Sequence, residues 1–404
     1  MKEMNKAKIY IKKSMKSILN EKKFLSKLNY PLISNMYYAF QNKEYLYIIL
    51  DYLPGGDLRY HISKKKKYSE KEIKFLISNL ILSLEYLYNN NIIHRDIKPE
   101  NLVFDINGYI HLTDFGISCE YIKGKKILFS SGTPCYMAPE VFLKKNHYFT
   151  VDYFAVGIII YELIFGKRPF NGKNRNDIKE NILCKEIKVK KNDLNNNLFF
   201  DFSICNFVNL LLKRKPNLRL GYNGIYEIKE HDFLKDVNWK KIEKKEIKSP
   251  FHINENNDNF NIKYVNQEDD ESIFHNNKEY YINIVNESNI FKNFFYSRDE
   301  EINNLFNRKR FNNHFKKIIS DNSSDIDSKI TTQKGNINDK LHKIKFHIKG
   351  RKSCHNIEPI KFRNYFDNNE KEISIISEIK EEISNHSNLN NNIESEKISS
   401  LDIS

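Results

Sequence analysis

The chain has 404 residues, of which 40% are hydrophobic and 29% charged, and a formal net charge of +14. That suits one large domain or two with tails, with enough apolar residues to bury a core. Its five cysteines show no CxxC spacing, which argues against a disulfide framework or a zinc site and for a reducing, intracellular compartment such as the cytoplasm.

The charge has no address. Lysine and asparagine recur along the whole chain while alanine and glycine are scarce, a pattern of A/T-rich coding. A basic nucleic-acid binder has only the net charge behind it, and no nucleic acid is expected as a partner. No stretch reaches the roughly 18 apolar residues of a membrane span.

Taken in order, the opening MKEMNKAKIY places Lys2 at the edge of the chain, where a lysine by itself reads as a solvated charge. YLYIILDY (45–52) reads as a buried strand running into a turn, PGGD. The run KKKK (64–67) reads as a solvated loop. Ser69 and Glu72 form a capping box before Ile73, Leu76, Ile77, Leu80, Leu84 and Leu87, which share one helical face. IIHRDIKPENLVFD (92–105) puts Asp96, Lys98 and Asn101 on one short loop after that helix. YIHLTDFG (109–116) alternates like a strand and ends on Asp114. FAVGIIIYELIFG is interrupted by Glu162 and reads as a buried core helix. From about residue 252 the text turns rich in Asn, Ser, Glu and Lys, and 301–404 is expected to be a low-complexity, disordered tail.

The loop and the strand end carry the chemistry. Phosphoryl transfer needs a carboxylate to orient the acceptor hydroxyl and take its proton, a cation near the transferred group, and oxygen ligands for Mg²⁺. Its transition state is spread charge, so positioning and electrostatics do most of the work. The pattern H-R-D-x-x-x-x-N followed by D-F-G is highly specific.

On these residues the chain resembles the eukaryotic serine/threonine protein kinases over residues 1 to about 250. The resemblance implies an α+β, two-lobed fold with a largely helical C-lobe, and Mg·ATP as cofactor. Asp96 would be the catalytic base, Lys98 would contact the transferred phosphate, and Thr133 of GTPCYMAPE (132–140) would bond both. Asn101 and Asp114 would hold Mg²⁺. His94 and Phe115 would stack between the lobes, and Arg95 would face the activation segment. Asp152 would brace the catalytic loop, beside Tyr153 and Phe154 where tryptophan is usual. Arg219 would form a half-buried pair with Glu140.

LDYLPGGDL resembles the hinge of the AGC group. Leu50 would be the gatekeeper, the backbones of Asp51 and Leu53 would bond adenine, Val103 would floor it, and Asp57 would face the ribose. LNEKKFLSKLNYPLI (19–33) resembles the regulatory helix and the strand after it, with Glu21 as its ion-pairing glutamate. Counting back about 19 residues lands on Lys2, preceded by methionine, so Lys2 matches the strand-three lysine. MKEMNK, LPGGDLRYHI and DVNWKKI look most like the YANK subfamily. The nucleotide side of the site would thus comprise Lys2, Glu21, Asp51, Leu53, Asp57, Glu100, Asn101, Val103 and Asp114.

The pattern also has departures. G-x-G-x-x-G and the two strands that carry it are missing, so the N-lobe is expected to be truncated, the chain being a cut or mis-started piece of a longer kinase. That loss would weaken ATP binding by on the order of 10²- to 10⁴-fold. A nucleotide-free pseudokinase or scaffold is therefore the alternative. Asp57, Glu100 and Glu162 match acidic positions that receive arginines in basophilic relatives, implying protein substrates with basic residues near the phosphosite. Ser130 and Ser131 follow Phe129, which stands where relatives carry a phosphothreonine; phosphorylated, either would pair with Arg95. FKNFFY (291–296) resembles the hydrophobic motif F-x-x-F-[ST]-Y, though a Phe-rich chain can produce it by chance. The expected divisions are 1–52 for the partial N-lobe, 53–240 for the C-lobe, 241–300 for an AGC-like extension and 301–404 for the tail.

Overall fold

Short β-prone runs near the start build a small sheet, and long apolar runs further on build a helical lobe beneath it. The computed structural model describes residues 1–65, 67–194, 200–254 and 271–298. The expected tail, 301–404, lies outside the described residues.

The upper lobe begins with β1 (Lys2–Asn5), α1 (Lys6–Ile11) and α2 (Met15–Leu25), followed by β2 (Met36–Gln41) and β3 (Tyr45–Leu50). Asn5 caps α1 by accepting from the amides of Ala7 and Lys8. β1 runs antiparallel to β3 with Lys2 opposite Ile48, and β2 runs antiparallel to the other edge of β3. The buried faces of Met36, Ala39, Leu46 and Ile48 meet Ile18, Phe24 and Leu25 of α2 in one core.

The lower lobe follows with α3 (Leu58–Lys64), α4 (Glu70–Asn89), β4 (Ile92–Ile93), β5 (Leu102–Phe104), β6 (Ile110–Leu112), β7 (Cys119–Glu120), α5 (Pro139–Phe142) and α6 (Thr150–Phe165). After these come α7 (Arg175–Cys184), α8 (Phe202–Leu211), α9 (Tyr226–Lys229) and α10 (Trp239–Glu243). Both arms of the capping box on α4 form, and Lys65 also grips Glu72 at 2.6 and 2.8 Å. Of the run read as a solvated loop, Lys65 is thus engaged, and Lys66 lies outside the described residues. α6 is buried almost all round and stops at Gly166, whose φ of 68° is the left-handed turn that ends helices.

Three features differ from the sequence expectation. The helix expected within 19–33 starts at Met15, and the residues after it give only a single bridge, Ile33 to Leu112, before β2. The Arg219–Glu140 pair, expected half-buried, is fully enclosed. Its contacts are 2.7 and 3.0 Å, its side chains are 0% and 4% exposed, and the Phe154 ring lies 4.9 Å from the guanidinium. The upper sheet also gains a strand from far along the chain.

That strand closes a strap. Residues 245–251 climb the back of the lower lobe, where Ser249 donates to the Gly108 carbonyl at 2.9 Å and Ile247 N–H donates to the Tyr109 hydroxyl at 3.1 Å. α11 (Glu271–Glu287) then lies on α1, with the Lys6 ammonium donating to Asn286 Oδ1 at 2.9 Å. Burial pushes the Lys6 pKa down to about 8. Phe291 and Phe294 are buried, Lys22 donates to the Asn293 carbonyl, and β8 (Tyr296–Ser297) pairs antiparallel with β2. The resulting sheet order is β1-β3-β2-β8.

Candidate active site

The cleft between sheet and helices collects residues from widely separated stretches of chain. At the top, the Lys2 ammonium bonds both oxygens of Glu21, at 2.9 and 2.7 Å. Glu21 lies on the buried face of α2 and its side chain is 7% exposed, whereas Lys2 is 42% exposed. The carboxylate is held by packing, and the ammonium reaches it from the edge strand.

α2 is tied downward as well. The Asn20 amide nitrogen donates to the carbonyls of Phe115, Gly116 and Ser118, at 3.2, 3.1 and 2.8 Å. The approach is so close that a Cβ on Gly116 would lie 2.3 Å from Ser17 Oγ. The segment after Asp114 and the helix bearing Glu21 are thus fastened to each other. Asn20 stands beside Glu21 in the sequence, and one residue's offset on a helix was the signal that could have found it.

The hinge is fastened at both ends. The Asp51 carboxylate accepts from Asn35 N–H at 2.9 Å, the Asn35 side chain at 2.8 Å and the Tyr37 hydroxyl at 2.8 Å. Its N–H is used on the Asn35 carbonyl, so its own carbonyl is the backbone group it can offer a ligand. Leu53 is half-buried at the turn. Gly55 donates to the Phe104 carbonyl at 2.9 Å, and a Cβ there would fall 2.5 Å from the Phe104 Cβ. Asp57 bridges Val103 across this contact and caps α3 by accepting from Tyr60 N–H at 2.7 Å. Burial raises the Asp57 pKa, with the Tyr60 bond opposing it.

Asp96 lies at the centre of the lower half. One of its oxygens accepts from Thr133, through the hydroxyl at 2.8 Å and the amide at 3.0 Å. The other accepts from Lys98 at 2.6 Å and from the Asn101 amide at 3.2 Å. Lys98 also donates to the Thr133 hydroxyl at 3.0 Å, closing a ring of three. Burial alone would raise the Asp96 pKa, but the bonds from Lys98 and Thr133 outweigh it and hold the carboxyl below its ordinary range. Behind the loop, Asp152 accepts from the amides of His94 at 2.9 Å and Arg95 at 2.8 Å. This double bond steadies a turn in which Arg95 has a φ of 69°.

Asn101 and Asp114 are joined through the backbone, since Thr113 N–H donates to the Asn101 carbonyl at 2.9 Å. Asp114 is exposed, has a φ of 64° and accepts from Gly116 N–H at 3.1 Å. Among the described residues no group of three or more His, Cys, Asp or Glu could cage a metal. Magnesium does not need one: it binds through one or two side-chain oxygens plus substrate phosphates and water. The hard oxygens of Asn101 and Asp114 fit that requirement. Phe115 is buried edge-on to His94, with ring centroids 5.1 Å apart.

Two arginines escaped the sequence reading. Arg59, in the first turn of α3, bonds Glu100 at 2.8 Å and both oxygens of Glu162 at 2.8 and 3.2 Å. Arg175 approaches the Ser130 hydroxyl at 3.5 Å, while Arg95 bonds the Ile117 carbonyl at 2.7 Å. Both belong to surface helices in a lysine-rich chain, and nothing in their local pattern distinguishes them.

Comparison with known proteins agrees with this geometry. The protein kinase domain model matches residues 1–234. A protein of Dictyostelium discoideum described as a probable serine/threonine-protein kinase is 42% identical over 252 residues, covering 62% of this chain and 54% of that protein. Serine/threonine-protein kinase sgk-1 of Caenorhabditis elegans is 37% identical over 254 residues, covering 62% and 53%. Human ribosomal protein S6 kinase alpha-6 is 37% identical over 252 residues, covering 62% and 33%. The chain thus spans about half the length of the first two relatives.

Proposed function

The chain belongs to the protein kinase family, and on that premise we propose that it transfers the γ-phosphoryl group of Mg·ATP to serine and threonine hydroxyls of protein substrates. The observation that carries this reading is the ring of Asp96, Lys98 and Thr133. It keeps a carboxylate ionised and fixed beside a cation, at the place where an acceptor hydroxyl must be oriented and relieved of its proton. Lys98 balances charge on the group in transit.

In this reading the hinge carbonyl of Asp51 and the amide of Leu53 hold the adenine, with Val103 beneath it and Asp57 at the ribose. Lys2 uses two of its three donors on Glu21 and offers the third to phosphate. Asn101 and Asp114 hold the magnesium ion, which when bound screens the phosphate charge. The hinge supports placement in the AGC group, and MKEMNK, LPGGDLRYHI and DVNWKKI support a likeness to the YANK subfamily. The carboxylates of Asp57 and Glu100 support a preference for substrates with a basic residue near the acceptor. Among the described residues no helix is long and apolar enough to cross a membrane.

Phosphotransfer from Mg·ATP to a serine peptide, with Asp96→Asn as control, tests the reading. Transfer that disappears in the variant supports it. Transfer that survives in the variant removes Asp96 as the base, and nucleotide binding without transfer by the unaltered chain would favour a binding module.

A further inference from the structure

We propose that Arg59 occupies, from within the chain, the carboxylate site where a substrate guanidinium would otherwise bind, and so sets how strongly the protein reads basic substrates. The inference deepens the basic-substrate reading above and rests on it.

The group lies beside the acceptor site. Glu100 is next to Asn101 on the catalytic loop, and Tyr136 follows Thr133 by one short helical turn. Glu162 projects from the last turn of α6 with its side chain only 6% exposed. A carboxylate so enclosed needs a cation or several donors. Arg59 supplies them: one nitrogen bonds each oxygen of Glu162, at 2.8 and 3.2 Å. The Tyr136 hydroxyl adds a third bond to Glu162 at 2.7 Å, and the guanidinium also touches that hydroxyl. The remaining guanidinium nitrogen turns outward to Glu100 at 2.8 Å.

The two carboxylates are left unequal. Glu162 is satisfied on both oxygens and closed off. Glu100 takes one bond from Arg59 and stays 41% exposed. The planar fork of an arginine suits this double duty, whereas a lysine ammonium is a single point charge on a flexible stem. A substrate cation can therefore share Glu100, but it reaches Glu162 only by displacing Arg59. The protein should read one basic position where the carboxylates alone would read two.

The test uses the full chain and neutral serine peptides in which one arginine is moved through the positions on either side of the serine. Affinity is read by fluorescence anisotropy, and kcat/KM where transfer occurs. Arg59→Gln keeps donors for Glu162 and should gain about ten-fold in preference for arginine at one position, the scale of a single charge-assisted contact. Glu162→Gln added to Arg59→Gln should remove that gain. Arg59→Lys keeps a cation for the fold and should gain less. Melting curves confirm that each variant is folded.

No gain in Arg59→Gln or Arg59→Lys overturns the proposal, as does a gain that persists when Glu162 is also changed. The basic-substrate reading is judged separately, on the unaltered protein against Glu100→Gln. If no arginine position is favoured there and Glu100→Gln changes nothing, that reading falls, whatever Arg59 does.

Discussion

The upper and lower lobes each hold a two-pronged pair of carboxylate and cation, and the pairs are built differently. Lys2 reaches Glu21 from an edge strand, with 42% of its side chain exposed. Arg219 meets Glu140 in a closed interior, with 0% and 4% exposure, three further carbonyl acceptors and an aromatic ring against its face. Water can replace the first partner cheaply and the second not at all. The lower pair should therefore hold as a rigid base, and the upper pair should be able to open and re-form around a ligand.

The sharpest way to break this contrast is at the loop on the rigid base. Asp96→Asn should lower phosphotransfer by about 10²- to 10⁴-fold, the usual weight of a positioned base, while nucleotide affinity changes little. A loss of fold instead would show that the Asp96 ring holds the lobe together more than it positions a hydroxyl. Arg219→Leu comes next. Stranding the Glu140 carboxylate should destabilise the chain by about 3–5 kcal/mol, read as a lower midpoint in urea. A change below about 1 kcal/mol would erase the distinction between the two pairs.

Acid offers a third test on the same base. Asp105 accepts from Lys245 at 2.7 Å and lies 3.1 Å from His111 Nε2, and Lys245 also reaches that nitrogen at 2.8 Å. Burial raises the Asp105 pKa, but His111 and Lys245 overcome it and bring it down to about 2. A depressed carboxyl stabilises the fold above its unfolded value near 3.8 and loses that contribution as pH falls toward 2. The contribution is about 2 kcal/mol. Asp105→Asn should therefore lower stability at pH 7 and flatten the fall between about pH 4 and 2, measured by urea melts across that range. An acid limb unchanged in the variant would place the loss elsewhere.

The two lobes also differed in how far they could be read from sequence. The catalytic loop was legible because Asp96, Lys98 and Asn101 lie within six residues and their partner Thr133 comes 37 residues after Asp96. The long helices were legible from capping and periodicity, as Ser69 and Glu72 show. Lys2 and Glu21 could be matched only through the family resemblance, by their spacing and the methionine before the lysine. Arg59 could not: its partners stand 41, 77 and 103 residues away, and only the folded chain brings them together. The strap was ambiguous for a similar reason. β8 has two residues, too few for any periodicity, and its place depends on pockets for Phe291 and Phe294 that exist only once the upper lobe has folded. The depth of the Arg219 pair was underestimated because enclosure is a property of neighbours, and α6 supplies Phe154 and the Thr150 carbonyl.

A smaller test asks whether the rigid base is fully satisfied. Tyr153 stands on α6 with its ring buried and its hydroxyl without a hydrogen-bond partner among the described residues. A buried hydroxyl left unpaired costs about 1–3 kcal/mol, less what the fold recovers by packing the ring. Tyr153→Phe should raise stability by about 1 kcal/mol, seen as a higher melting temperature. A fall would reveal a bond that the ring position conceals.

The smallest expected effect on stability falls on the upper pair and decides the comparison. Lys2→Met removes the cation from a carboxylate that α2 already holds in place. Since Lys2 is 42% exposed, the ion pair contributes at most about 1 kcal/mol to the fold, and the urea midpoint should hardly move. Mg·ATP affinity should nonetheless fall by about ten-fold, because the ammonium's third donor is a charge-assisted contact to phosphate in the proposed function. Glu21→Gln should show the same split, since a lysine without its carboxylate is free to leave the cleft. A large drop in stability with unchanged nucleotide affinity would make Lys2–Glu21 an anchor of the same kind as Arg219–Glu140, and the division between rigid base and adjustable upper contact would have to be abandoned.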